Sequence, residues 1–433
     1  MAPASAPARP ARPIAPWRAA QLWYLPLLGT AMALMMARIL VMARLLDVAA
    51  FGIYSAGLLV STTFCMLACL GLQSLLQRDM PVMAARGRVR RALVLLFQSA
   101  LVACLCAVVL LLIPALGVGA AGLSAPVFAI AIVHGLSQQV FLVATTESRS
   151  LGQPVRYSLQ NLGRAVSVTA LSAAAASLSG SAPLALGVEA AMSLALSAAT
   201  LSRMAAAHGA RAPTLLAAAW RTIRRARWNT ALIFLGISLA ASAVLTADRW
   251  FAAALLPARE FAQYAFAGVL VLIAQSTQAM LNASIYPALA RRYALQGAAP
   301  TYALSARVSL SLLGAAVLLA VPAGLALSAA VQRWYPAYEP ALAILWPVLA
   351  AGALRLSDFW SSFLTICGHE RKMLWLQLLV GGGLCAVWAA ALAMRGAAAT
   401  LADFAWLALL LSIGMHGGAA LAATRAQRKG AVA

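Results

Sequence analysis

The chain has 433 residues, of which 64% are hydrophobic and only 10% are charged. Soluble domains carry roughly 25% charged residues, so the composition excludes a soluble fold and predicts an integral membrane protein. The net charge of +22 does not indicate a nucleic-acid partner, because the Arg and Lys residues gather in short runs between apolar segments, as topology signals do.

Apolar segments in six pairs are long enough for the roughly 20 residues that a membrane-spanning helix needs. The sequence before them, 1–18, is rich in Ala, Pro and Arg and has no signal-peptide pattern, so we expect a disordered cytoplasmic tail. We predict twelve helices, at 20–43, 52–76, 92–113, 125–146, 159–179, 183–202, 229–250, 263–287, 303–328, 341–366, 373–394 and 400–422.

The longest connection between these helices, 203–228, is basic and divides the chain into two lobes. We expect six helices in 19–202, six in 229–422 and a second cytoplasmic tail over 423–433. Within the connection, 220–228 is compatible with an amphipathic helix on the inner leaflet. We interpret the connection mainly as a tether between the lobes that also fixes their topology.

Basic residues predict the orientation of the helices. With the N-terminus inside, the inner connections contain most of the Arg residues, whereas the outer connections contain only Arg44, Arg259, Arg333 and Arg395, with Arg249 nearby. Cytoplasmic connections carry such an excess of Arg and Lys. We therefore expect a multi-pass protein of the bacterial inner (plasma) membrane with both termini in the cytoplasm.

A short pattern occurs twice, half a chain apart, in a break between two apolar runs each time. Its copies are Leu45-Leu46 with Phe51 and Tyr54, and Leu255-Leu256 with Phe261 and Tyr264. Internally duplicated transporters show such repeats. We interpret the aromatic residues as structural, in turns with their rings at the outer membrane interface. Pro81 and Tyr286-Pro287 predict the inner ends of helices 2 and 8.

Motifs for catalysis do not appear in the sequence. It contains no phosphate-binding P-loop for ATP, no acidic pair for a sugar-nucleotide metal and no long external loop for a catalytic domain. The six Cys residues lie inside apolar runs and the four His residues are far apart in sequence. We therefore expect a transporter that is not an enzyme and that has no cofactor, no metal site and no catalytic residues.

Ionisable residues within the predicted helices are candidates for a transport path, because an ionisable side chain in a membrane usually faces a cavity or a partner. Arg38 and Asp248 stand at matching repeat positions, each at the same distance before its motif Phe. This arrangement predicts an ion pair across the central cleft that closes an outer gate. The alternative is that both side chains reach separately to the outer head groups.

Other ionisable residues leave more than one interpretation open. Arg355 and Asp358 are three residues apart, so in one helix they would share a face. They predict either an internal salt bridge, an anion-binding Arg held by its acid, or a coupling-proton site on Asp358. Arg164 is either an anion contact or a topology anchor. Glu189 either binds a coupling ion or, when protonated, forms a hydrogen bond to a neighbour. We expect His134 to be a hydrogen-bonded residue of the protein core.

Several of these motifs resemble one family. The run ARLLDVAAFGIY at 43–54 resembles the ARLLG-x-x-x-FG-x-Y signature of bacterial polysaccharide flippases. These are Wzx-type O-antigen translocases of the multidrug/oligosaccharidyl-lipid/polysaccharide (MOP) superfamily. Asp248-Arg249, the run FAQY at 261–264 and the run YPALAR at 286–291 also resemble the family's seventh and eighth helices. Asp47 and Ala262 stand where the family usually has Gly.

The resemblance implies an all-α, V-shaped protein of two six-helix repeats around a cationic cavity. Members flip undecaprenyl-pyrophosphate-linked oligosaccharide to the outer leaflet by alternating access for O-antigen and exopolysaccharide biosynthesis, driven by an ion gradient or the membrane potential. The implied partners are this substrate, membrane lipids and polysaccharide polymerase machinery. The residues implied for the pyrophosphate are Arg38, Arg249, Arg355 and Arg164, and those for gating or ion coupling are Asp248, Asp358 and Glu189.

Two other functions remain open from the sequence. A drug/cation antiporter of the same superfamily would expose acids rather than arginines to its cavity. A membrane polymerase would belong to another class, and the short external loops argue against it.

Overall fold

Every regular element is a helix in the part of the chain that the computed structural model describes, residues 23–396 and 398–430. The predicted tail 1–18 lies outside this part, as do residues 431–433 of the second tail. The first half contains α1 (Tyr24–Leu45), α2 (Val48–Leu67), α3 (Leu72–Ala85), α4 (Val89–Ala115), α5 (Ala125–Ser150), α6 (Pro154–Ser179) and α7 (Ala182–Ala207).

The connection between the halves contains α8 (Ala212–Thr222) and a 3-10 turn (Ile223–Arg225). In the second half, the tenth membrane crossing begins with a 3-10 segment (Pro336–Ile344), and the eleventh contains a π-helical segment (Gln377–Gly381). The helices of this half are α9 (Trp228–Leu255), α10 (Ala258–Gln296), α11 (Ala298–Trp334), α12 (Leu345–Leu356), α13 (Trp360–Ile366), α14 (Glu370–Leu376), α15 (Gly382–Arg395) and α16 (Leu401–Gly430).

The number and the lengths of the apolar helices confirm the predicted fold class. Among the described residues, 12 helical stretches are long and apolar enough to cross a bilayer. They alternate in direction along the chain, so the α1–α2 and α9–α10 connections lie on one membrane face. The α3–α4 connection and α8 lie on the other face, which is the predicted cytoplasmic side.

The second crossing is interrupted, whereas its counterpart in the second half is continuous. α2 ends at Leu67, and the chain turns through Leu70 and Gly71, whose φ angles are +46° and +81°, before α3 begins. Pro81 lies inside α3, and α10 runs through Tyr286 without a break. The predicted helix ends at both prolines were therefore wrong, because one missing hydrogen bond in a packed helix produces a kink more readily than a stop.

The connection between the halves is packed on the first half. α8 lies against α4 and buries Leu215 and Ala219, while Trp220 on its outer side is 59% exposed. The amphipathic helix predicted at 220–228 therefore begins earlier in the chain and ends at Thr222. The apolar face of α8 makes this part of the connection a docked element of the first half.

The two halves meet along α2, which packs against α9 and α10. Phe51 and Tyr54 are both 0% exposed and belong to a core that includes Phe261 and Tyr264. The prediction that these residues lie in turns with interfacial rings was wrong, because Phe51 packs against Tyr338 of the other half and Tyr54 against Glu189 of its own half. Asp47 caps the start of α2 by accepting hydrogen bonds from the backbone N–H groups of Ala49 and Ala50 at 2.8 and 3.0 Å.

Candidate functional site

A cavity of about 740 Å³ lies between the two halves. Its walls come from α1, α2 and α5 on one side and from α9, α10, α12 and α16 on the other, and they are mainly apolar. Among the described residues, the charged side chains that line it are Arg38, Arg249, Arg355 and Asp358. Three guanidinium groups and one carboxylate give this wall an excess of positive charge.

A contact between the halves closes the cavity at the α1–α2 side of the membrane. Gly52 lies so close to the backbone carbonyl of Ala258 that a Cβ atom would collide with it. Phe51 packs edge-on against Tyr338, with ring centroids 5.6 Å apart. From this contact the cavity follows α2 as far as Met66 and α10 as far as Gln278, towards the predicted cytoplasmic side.

The first half surrounds Glu189 with donors. Its carboxylate pairs with Arg38, accepts a hydrogen bond from the Tyr54 hydroxyl at 2.8 Å and lies 3.0 Å from Nε2 of His134. The other ring nitrogen of His134 is 2.7 Å from the Ser61 hydroxyl. Glu189 and His134 are 0% exposed, so α1, α2, α5 and α7 share one buried polar network. This confirms His134 as a hydrogen-bonded core residue.

Arg164 belongs to the same half but not to the cavity wall. Its Nε donates a hydrogen bond to the Ser193 hydroxyl at 3.1 Å, and its guanidinium lies 4.8 Å from the centre of the Phe141 ring. Its Nη2 atom is buried without a hydrogen-bond partner. Arg164 thus adds positive charge behind the cavity, and the ring supplies a cation–π contact in place of an anion.

The second half builds a corresponding network on Asp248. The Tyr264 hydroxyl donates to its carboxylate at 2.5 Å, and Nη2 of Arg355 lies 4.0 Å from the other carboxylate oxygen. Arg355 is fixed by two further bonds, from Nε to the Ser412 hydroxyl at 2.9 Å and from Nη1 to the Leu245 carbonyl at 3.0 Å. α9, α10, α12 and α16 all contribute to this buried group.

The structure does not bring Arg38 and Asp248 together. Each side chain finds an opposite charge within its own half, Arg38 on Glu189 and Asp248 on Arg355. The predicted gate pair across the cleft is therefore wrong for this conformation. An ion pair within one half is compatible with movement of the halves, because it need not break when they separate.

Arg355 and Asp358 also do not pair. The helix breaks between them, since α12 ends at Leu356 and α13 begins at Trp360, so the shared helix face that the sequence suggested does not exist. Asp358 instead accepts hydrogen bonds from the backbone N–H and the hydroxyl of Ser361, at 3.2 and 2.6 Å. It caps α13 at the edge of the cavity.

Arg249 is the cavity arginine that has no carboxylate partner among the described residues. It follows Asp248 in α9 and lines the cavity, no salt bridge involves it among the described residues, and its Nη2 atom is buried without a hydrogen-bond partner. A guanidinium in this state can bind an incoming anion without first losing an internal partner.

Sequence reasoning identified the ionisable side chains but missed the two motif tyrosines, Tyr54 and Tyr264, as parts of the networks. The available signal was their identical repeat position. Ser412 and Ser193, which fix two of the arginines, have no distinguishing pattern in a helix. No group of three or more His, Cys, Asp and Glu residues in the described ranges could hold a metal ion.

Comparison with known proteins gives matches among solved structures only. No protein-family model matches the chain, and no curated protein matches it. An inward-facing multidrug resistance MATE family transporter of the MOP superfamily is similar, at 12% identity and a TM-score of 0.58, over 94% of this chain and 98% of that one. A variant of the Vibrio cholerae MATE transporter VcmN matches at 14% identity and a TM-score of 0.57, over 95% and 96% of the two chains. A eukaryotic MATE transporter matches at 12% identity and a TM-score of 0.53, over 94% and 99%.

At these identities the likeness shows the fold. The chain is a multi-pass membrane protein with the fold of the MATE transporters of the MOP superfamily, and these neighbours are transporters rather than enzymes. The predicted all-helical fold with twelve membrane crossings is thereby confirmed for the described residues. Membership of the Wzx-type polysaccharide flippases stays a prediction.

Proposed function

We propose that this protein flips an anionic lipid-linked substrate, undecaprenyl-pyrophosphate-linked oligosaccharide, from the inner to the outer leaflet of the bacterial inner membrane. The observation that supports this is the charge of the central cavity, which is lined by three arginines and one aspartate among the described residues. Placing charged groups in an apolar membrane environment costs free energy, so such groups usually serve a ligand or a partner. Arg38 and Arg355 have partners, and Arg249 has no acid partner.

The substrate's chemistry fits the cavity in three ways. Arg249 offers a planar guanidinium, which can bind a pyrophosphate through two hydrogen bonds at once. The apolar wall, which includes Met35 and Leu272, suits an isoprenoid chain. Gln138 and Gln275 line the same cavity and can bond sugar hydroxyls. Release to the outer leaflet would then require the contact at Gly52 and Ala258 to open, with an ion gradient or the membrane potential as the energy source.

A drug/cation antiporter is the second candidate, and the likeness to MATE transporters favours it as much as it favours a flippase. A cationic substrate needs an accessible acid in the cavity. Asp358 is the single carboxylate on the wall among the described residues, and it already caps α13. Glu189 and Asp248 are each 4% exposed or less and are paired with arginines. The charge of the cavity therefore favours an anion over a cation.

The test is flipping of a fluorescent undecaprenyl-pyrophosphate oligosaccharide in proteoliposomes, measured by the loss of fluorescence to a membrane-impermeant reductant. We expect transport by the wild type and a loss of tenfold or more in Arg249→Gln, with partial activity in Arg249→Lys because the charge remains. Arg259→Gln, which removes an exposed arginine in the first turn of α10 outside the cavity, serves as the matched control. It should transport like the wild type.

Replacing Arg249 tests substrate binding more specifically than replacing Arg38 or Arg355. Removing either of those arginines leaves a buried carboxylate unpaired and perturbs folding. The contrary result would be no flipping by the wild type with several glycans, together with proton-driven exchange of a small cation such as ethidium. It would assign the protein to the antiporters. We further propose that polysaccharide polymerase machinery acts on the flipped product, which co-purification from cells that express both proteins would test.

A further inference from the structure

A second cavity, of about 900 Å³, lies on the first half at the predicted cytoplasmic side. α3, the beginning of α4 and the end of α8 with its 3-10 turn form this basic groove. Its floor is apolar and includes Leu75, Leu95 and Ala218. Its rim carries five arginines, Arg88, Arg90, Arg91, Arg225 and Arg227.

The charges of the basic groove are not balanced by the protein. Asp79 is its one acid among the described residues, and it already accepts hydrogen bonds from Arg78 at 2.7 Å and from Arg227 at 3.2 Å. The four remaining arginines of the rim form no salt bridge and no side-chain hydrogen bond in the part of the chain that the structure describes. Four positive charges that line one groove without an acid partner would be stabilised by an external anion.

The position of the groove indicates where that anion comes from. α4 begins at Val89 and α9 at Trp228, and both are membrane-spanning, so the groove lies where these helices enter the bilayer. That is the depth of lipid head groups. Exposed Trp220 stands beside it on α8, and indole rings favour this interface. The groove shares no lining residue with the central cavity, so it lies off the proposed substrate path.

We propose that the basic groove is a binding site for the head group of an anionic phospholipid. The phosphate would contact Arg90, Arg91 and Arg225, and the first carbons of an acyl chain would cover the apolar floor. Basic pockets between membrane helices recognise such head groups. A soluble phosphate would use the rim but gain nothing from the floor. Because α8 forms one wall, the bound lipid holds the connection between the halves against α4.

Native mass spectrometry of the full-length protein in detergent tests this site, with tetraoleoyl cardiolipin as the anionic probe and dioleoyl phosphatidylcholine as the neutral one. We expect cardiolipin to bind the wild type in preference to phosphatidylcholine. The triple variant Arg90→Gln/Arg91→Gln/Arg225→Gln should bind cardiolipin more weakly by about tenfold or more, since each basic residue near an anionic lipid contributes a several-fold gain.

The matched control is Arg203→Gln/Arg291→Gln/Arg371→Gln, which removes three exposed arginines at the same membrane face but outside the groove. It should bind cardiolipin within about twofold of the wild type. If the triple variant does not fold, as judged by size-exclusion chromatography, the single exposed replacement Arg225→Glu takes its place. Equal losses in groove and control variants, or no loss in the groove variant, would overturn the proposal. Displacement of cardiolipin by equimolar soluble pyrophosphate would do so as well, because it would assign the site to a soluble anion.

Discussion

Tyr54 and Tyr264 occupy the same position in the two repeats, and each donates its hydroxyl hydrogen to a buried carboxylate of its own half. The oxygen–oxygen distances are 2.8 Å to Glu189 and 2.5 Å to Asp248. The first helix of each half carries opposite charges, Arg38 on α1 and Asp248 on α9, and their partners come from crossings that are not equivalent. The first half has its arginine on α1 and its acid on α7, whereas the second has its acid on α9 and its arginine on α12. Each half thus contains a tyrosine–carboxylate–arginine group, but the two groups are assembled from different helices.

Replacing either tyrosine by phenylalanine should destabilise its half. Tyr54→Phe and Tyr264→Phe each remove a hydrogen bond to a charged acceptor, for which we expect a loss of about 1–2 kcal/mol in the free energy of unfolding. Unfolding in increasing sodium dodecyl sulfate, followed by circular dichroism, measures this. Tyr335→Phe is the control, since that hydroxyl makes no hydrogen bond within the described residues. Equal stability of all three variants would contradict the role of the tyrosines.

Removing the charge of Glu189 should cost considerably more. Glu189→Gln leaves Arg38 buried without a counter-charge, which typically destabilises a protein by about 3–5 kcal/mol. The double variant Arg38→Gln/Glu189→Gln should recover part of that loss, because no charge is then left unpaired. Glu339→Gln, at an exposed position where the described residues offer no salt-bridge partner, should stay within about 0.5 kcal/mol of the wild type. Additive losses in the double variant would show that the pair is not coupled.

The number of helices and the membrane-embedded charges could be predicted from the sequence, because hydropathy and composition are local properties. The pairing of those charges could not. Glu189 and Arg38 are far apart in sequence, and their contact depends on the packing of α7 beside α1 and α2. Repeat symmetry suggested a pair across the cleft because it shows equivalent positions but does not show which neighbours lie within each half.

The positions of helix breaks could not be predicted from the sequence either. The break between α12 and α13 contains neither Gly nor Pro, and only Asp358 as a capping residue marks it. Conversely, Pro81 has a strong breaking tendency but lies within α3, where packing on α4 maintains the helix. Local propensity is a weak guide wherever tertiary contacts decide the outcome.

Gly71 should tolerate substitution less well than Gly87, although both have positive φ angles, +81° and +70°. In either position Ala would cost about 1–2 kcal/mol for the left-handed backbone. At Gly71 a Cβ atom would also collide with the Ala231 carbonyl of α9, whereas at Gly87 there is nothing within 4 Å. Gly71→Ala should therefore lower the thermal unfolding temperature clearly more than Gly87→Ala. Equal shifts would mean that α3 and α9 can move apart at this point without cost.

Asp358 separates the two candidate functions most directly. Asp358→Asn keeps one side-chain oxygen to accept from the Ser361 backbone N–H, while its amide replaces the oxygen that accepts from the Ser361 hydroxyl. It removes the one carboxylate that lines the cavity among the described residues. If the substrate is an anion, flipping of the fluorescent lipid-linked oligosaccharide should be unchanged or faster, because the positive potential of the cavity rises. A cation antiporter would instead lose proton-coupled efflux. Asp47→Asn is the matched control, since Asp47 caps α2 in the same way outside the cavity, and it should transport normally in either case. Loss of flipping in Asp358→Asn alone would contradict an anion path that depends only on the arginines.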